Sequence, residues 1–225
     1  MNNSVIIWTF IGVVFSTYFI VSLVYKKLGI RNLQKAIFVT NGLRLLNLKH
    51  FFGIVLFGIF SYIMIPEFRY LIEPVEIPKL YILIPFMLVL FLSVYVSSAE
   101  SKKHLNNFEI SEQLYGLSAA LLYFLVRFVF LLSYEYFFRG VLLFSLLQHN
   151  SIILAITYCT ILYVLIHIFD SKKEILGAIP FGIILCLFSY FTNSIWYPFL
   201  IHMALSAVYE IYVFYNLTLK NKMIS

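Results

Sequence analysis

Apolar residues along this chain arrive in runs of about 20, the length a helix needs to cross a hydrocarbon core, and polar residues gather in the short stretches between them. Val5 to Tyr25 is the first run; no small-residue cleavage site follows it, so it reads as a membrane span rather than a removed signal. Phe51 to Ile65 is a second, begun within the Leu-rich stretch ahead of it, and Leu80 to Ser98 is a third. Leu114 to Leu147 then stays largely apolar for 34 residues. One straight helix of that length would reach about 50 Å against a core of about 30 Å, so it is either tilted and protruding or broken near Ser133. Ser151 to Phe169, Ile175 to Phe191 and Ile195 to Asn216 complete the set.

The polar stretches orient these spans. Residues 26 to 50 carry Lys26, Lys27, Arg31, Lys35, Arg44 and Lys49 with no acid, and Asn32 to Leu48 within them suits an amphipathic interfacial helix. Pro66, Glu67, Glu73, Pro74, Glu76 and Pro78 make an acidic, proline-punctuated loop at the opposite face. Seven crossings put twelve of the sixteen Lys and Arg on the cytoplasmic side, with only Arg69 and Lys79 outside. Eight crossings would move the lysines near 172 and in the tail outward, which the positive-inside bias disfavours. The expectation is therefore an all-α polytopic bundle of seven, or at most eight, membrane helices in the cell membrane, with a cytoplasmic C-terminus and a polar intramembrane cavity. It divides into a three-span region at 1–113, four spans at 114–217 and a tail at 218–225.

Composition agrees. The chain is 62% hydrophobic and 12% charged with a mean hydropathy of +0.95, where soluble domains average about a quarter charged. The net charge of +6 sits mostly between spans, so it speaks for orientation and lipid contact rather than for nucleic acid. Cys159 and Cys186 both fall inside apolar runs, where they read as small buried hydrophobes.

Against this background a few charged and polar residues inside spans stand out, because an ionised group in hydrocarbon costs at least a few kcal/mol by insertion scales. Glu135 and Arg139 are four apart, on one helix face, with the acid ahead of the base. His167, His202 and Glu210 lie on two other spans. A carboxylate and two imidazoles can polarise a water, or hold an ion such as zinc, and the same groups can stabilise an oxyanion. No His-Glu-x-x-His helix is present, which excludes an ordinary zincin. Arg127 reads as a snorkelling or paired structural arginine, and Glu210, about 12 Å along the helix from His202, as structural too.

Three stretches in order resemble the motifs of the CPBP intramembrane proteases, the family of CaaX-type prenyl-protein endopeptidases and their bacteriocin-processing and abortive-infection relatives. Tyr134-Glu135-Tyr136-Phe137-Phe138-Arg139-Gly140 fits the family's Glu-Glu-x-x-x-Arg except at the first acid. Tyr163 to His167 is similar to Phe-x-x-x-His, and His202 to Ser206 to His-x-x-x-Asn, preceded by a Thr-x-Ser-x-Trp-x-Pro lead-in at Thr192 to Pro198. The resemblance covers roughly residues 114 to 216. It implies an intramembrane endopeptidase that cuts a peptide, or a prenylated or bacteriocin-like substrate, with water activated by Glu135 and His167. His202 would be the electrophile and Arg139 would orient Glu135. Zinc held by Glu135, His167 and His202 is the cofactor the resemblance allows.

Two working positions differ. Tyr134 replaces the first acid and Ser206 the asparagine, and a phenol with a reference pKa near 10 is a poor base at neutral pH. A catalytically inactive relative acting as a membrane scaffold or bacteriocin-immunity protein is thus a second expectation, and a small transporter a third.

Overall fold

In the computed structural model, residues 3–73, 77–105 and 115–219 are described. Pro74 and Glu76 of the acidic loop, most of the polar stretch after the third span, and Lys220 and Lys222 of the tail lie outside the described residues. Among the described residues, seven helices are long and apolar enough to cross a membrane: α1 (Ser4–Lys27), α2 (Gly42–Met64), α3 (Leu80–Lys103), α4 (Leu117–Leu147), α5 (Ile152–Phe169), α6 (Lys172–Thr192) and α7 (Trp196–Phe214). There is no strand among the described residues. In hydrocarbon every backbone N–H and C=O must be satisfied within its own segment, which is why an apolar chain of this kind resolves into helices.

The second span starts earlier than its apolar run. Of the stretch expected to lie at the interface, only Leu33–Ala36 is a separate short helix, and from Gly42 the chain is already in α2. Asn41 takes the left-handed conformation at φ 56°, and a Cβ on Gly42 would lie 2.0 Å from the Ala36 carbonyl oxygen, so the reversal is built into these two residues. α2 and α4 approach closely further along. A Cβ on Gly53 would meet the Phe130 ring at 2.3 Å, and one on Gly58 would meet Ser133 Oγ at 2.5 Å. Small residues at such crossings let helix backbones come together in lipid.

The long fourth run is not broken at Ser133. α4 continues through it, with the Ser133 hydroxyl donating back to Val129 O at 2.8 Å, and widens into a π-helical stretch at Tyr136–Leu142. The wide turn begins immediately after Glu135 and contains Arg139. The first part of the acidic loop is packed down. Its 3-10 segment Pro66–Ile72 buries Phe68 and Leu71, and Ile195 N donates to Leu71 O at 3.1 Å.

The main core lies around the π segment, where Tyr134, Phe137, Phe138, Val141 and Leu142 pack against α1, α2, α5 and α6. α7 runs beside α4 and α3, and Ser97 Oγ of α3 donates to Leu205 O at 2.7 Å.

Candidate functional site

Glu135 and Arg139 are completely buried, and His202 is only 7% exposed. A lone carboxylate or guanidinium could not stay there, because the desolvation penalty is several kcal/mol per ion even after relaxation. They neutralise each other. Arg139 Nε lies 3.3 Å from Glu135 Oε2, and Nη1 lies 3.5 Å from Oε1. The pairing the i, i+4 spacing predicts is therefore present, although the π turn leaves it long. His202 Nδ1 of α7 lies 2.5 Å from Glu135 Oε1. Oε1 thus takes the hydrogen bonds of both the imidazole and Nη1, while Oε2 meets Nε only as an ion pair.

Neighbouring helices hold this trio by the backbone of the wide turn. Ser189 Oγ of α6 donates to Arg139 O at 2.8 Å, and Cys159 Sγ of α5 donates to Phe138 O at 3.2 Å. The guanidinium lies over the Tyr163 ring, 4.0 Å from its centroid, a cation–π contact worth about 2 kcal/mol when desolvated. Arg139 Nε and Nη2, Glu135 Oε2 and Thr160 Oγ1 are buried without a hydrogen-bond partner. Buried polar groups are normally satisfied, so orphans concentrated in one place mark a site that receives water or ligand.

His167 stands apart from the trio. It ends α5 in a single 3-10 turn, with its ring 4.7 Å from the Tyr163 ring, while the Tyr163 and His202 rings are 6.5 Å apart. Tyr163, the aromatic that precedes the histidine in its motif, therefore sits against both imidazoles and the arginine. The Nδ1 of His167 pairs with Asp170 Oδ2 at 2.9 Å, a partner in the short polar connection between two spans that hydropathy does not single out. A carboxylate three residues after a histidine at a helix end was the signal available for it.

The lead-in to α7 has a mechanical explanation. Asn193 stops α6 in the left-handed conformation, Ser194 Oγ accepts from Trp196 N at 3.1 Å, and the Trp196 indole donates to Ile72 O at 2.8 Å. This fixes the start of α7 two turns before His202. Gly140 packs closely in the same region: a Cβ there would lie 3.2 Å from the Tyr136 ring and in ordinary contact with Ile195 and Leu71.

The two departing positions are occupied differently. The Tyr134 ring is packed among Phe57, Phe130, Phe138, Tyr163 and His202, and its hydroxyl has no hydrogen-bond partner. Ser206 faces a second polar cluster. Arg127 Nη2 donates to Ser206 Oγ at 3.4 Å and pairs with Glu210 Oε1 at 2.9 Å, and Tyr123 Oη donates to Glu210 Oε2 at 2.9 Å. Arg127 is a paired arginine, and α4 and α7 are joined by two polar rungs, Glu135 with His202 and Arg127 with Glu210.

The expected zinc ligands do not form one set. Glu135 and His202 bond to each other, His167 bonds to Asp170, and among the described residues no three His, Cys, Asp or Glu side chains converge on a point. The arrangement is instead that of two carboxylate–imidazole pairs beside one buried guanidinium, which can take, hold and return a proton and meet a developing negative charge.

Residues 115–208 match a family model described as Type II CAAX prenyl endopeptidase Rce1-like. The match spans all three motifs. No curated protein and no solved structure matches the chain.

Proposed function

From four C-terminal spans that belong to the CaaX-type intramembrane protease family, we propose that this integral membrane protein is an endopeptidase that hydrolyses a peptide, prenylated or bacteriocin-like substrate near the cytoplasmic face. The observation that carries this reading is the fully buried Arg139–Glu135–His202 relay, with unpartnered polar atoms around it. The attacking water gives its proton to His167 at Nε2 as its oxygen adds to the amide carbon. His202, its Nδ1 paired with Glu135, donates a hydrogen bond from Nε2 to the oxyanion. The C–N bond then breaks as the proton passes from His167 to the leaving nitrogen. Glu135 holds the His202 ring through Oε1, and Arg139 pairs with that carboxylate. No step is routed through a metal, because the donors present do not form one ligand set.

The test is cleavage of a peptide library that includes prenylated members, by purified protein in liposomes. Wild-type protein cuts at least one member, and Glu135→Ala with His167→Ala cuts none. No cleavage above that control refutes the reading.

A second reading is a silent relative that keeps the cavity as a scaffold or immunity protein. It is favoured by Tyr134 in place of an acid and by a Ser206 hydroxyl taken up by Arg127. It predicts that Glu135→Gln with His202→Ala still rescues a deletion phenotype, and loss of rescue counts against it.

A further inference from the structure

α5 ends in a 3-10 turn at His167–Phe169, and Asp170 N closes that turn on His167 O at 2.9 Å. The same residue then folds its side chain back, so that Oδ2 lies 2.9 Å from His167 Nδ1. Each of these side chains is 24% exposed, so the pair lies where the buried site meets the end of the span. The other ring nitrogen, Nε2, is buried and has no partner. An ionised carboxylate can only accept, so Nδ1 must carry the proton, and in a neutral imidazole that leaves Nε2 a bare lone pair. A buried acceptor with no donor, on a ring in edge contact with Tyr163, is what a proton-accepting group looks like before its water arrives.

We infer that Asp170 is a positioning residue that fixes the tautomer of His167 and so prepares Nε2 to take the proton of the attacking water. This rests on the hydrolytic reading for its purpose, but not for its test. When Nε2 accepts the proton, the imidazolium is flanked by the Asp170 carboxylate at Nδ1, and no proton moves to Asp170. The proton leaves again from Nε2 to the departing amine, so the pair ends the cycle as it began. The role parallels that of Glu135 on His202, so the site holds two carboxylate-held histidines, both with rings set edge-on to Tyr163.

The decisive measurement is the tautomer of the His167 ring in detergent-solubilised full-length protein labelled with 15N-histidine, assigned by its loss in His167→Ala. Wild-type protein shows the proton on Nδ1. Asp170→Ala shifts it to Nε2, and Asp170→Glu restores Nδ1 at least in part. A wild-type ring protonated at Nε2, or a tautomer unchanged in Asp170→Ala, overturns the inference whether or not any substrate is cut. Where cleavage is measured, Asp170→Asn lowers kcat by about a hundredfold or more with KM within about twofold. A kcat unchanged despite loss of the Nδ1–H form overturns the positioning role. Cleavage that survives His167→Ala, with the tautomer as stated, would sink the mechanism while leaving the pairing intact.

Discussion

Replacing Glu135 and Arg139 separately and together separates a buried ion pair from two independent polar residues. Both side chains have no exposure. Glu135→Leu leaves a guanidinium whose Nε and Nη2 have no other hydrogen-bond partner, with only the Tyr163 and Phe138 rings against its charge. Breaking a buried pair from one side costs about 3–5 kcal/mol, and this variant also strips His202 of its partner, so it belongs at the upper end. Arg139→Met belongs at the lower end, because the stranded carboxylate still has His202 Nδ1 at 2.5 Å. The double variant strands neither ion, and well-packed apolar replacements of such pairs are often neutral or stabilising. It should therefore lose less than the Glu135→Leu single variant, with a coupling of about 2 kcal/mol or more, within the range for residues sharing one network. The assay is equilibrium unfolding in mixed micelles, followed by far-UV circular dichroism. Losses in the double variant equal to the sum of the singles would refute the reasoning, because the two side chains would then be acting independently.

Other outcomes follow from the same structure. Gly58→Ala places a methyl 2.5 Å from Ser133 Oγ and should destabilise by about 1–3 kcal/mol in the same unfolding assay, and Ser133→Gly should recover part of that loss. Tyr134→Phe removes a buried hydroxyl with no partner, and stability should stay level or rise; a loss of about 1 kcal/mol or more would mean the hydroxyl is satisfied after all. Elemental analysis of purified protein should find less than one zinc per chain, and stoichiometric zinc that disappears in His167→Ala with His202→Ala would contradict the separation of the two histidines.

The fold was legible because lipid leaves so few options. Runs of about 20 apolar residues become helices: the runs predict seven, or at most eight, and the described residues hold seven. Where tertiary contacts, not hydropathy, set the boundaries, the helices depart from the apolar runs. Gly42 begins α2 because the chain must reverse tightly over Ala36, and a hydropathy run that includes Arg44 and Lys49 gives no hint of it. Of the two expectations for the long fourth run, the break near Ser133 is not found; one continuous helix of 31 residues carries a π turn around Arg139, which no hydropathy pattern signals because a wide turn changes no residue's polarity. At the site, the Glu135–Arg139 pairing follows from spacing alone. The 2.5 Å bond between Glu135 and His202 joins residues 67 apart, and no periodicity can give it. Asp170 was missed for a different reason: three residues past the histidine and just outside the apolar run, it looks like any solvated loop acid.

The most direct test of the central claim is hydrolysis in 18O-labelled water, with protein in liposomes and a prenylated peptide ending in a Cys-aliphatic-aliphatic-X sequence. The products are read by mass spectrometry. The account predicts one 18O in the newly formed carboxyl group with wild-type protein, and a fall in product of about a hundredfold or more in Glu135→Gln and in His202→Ala. Intact peptide with wild-type protein, or labelled product that persists in both variants, would contradict it.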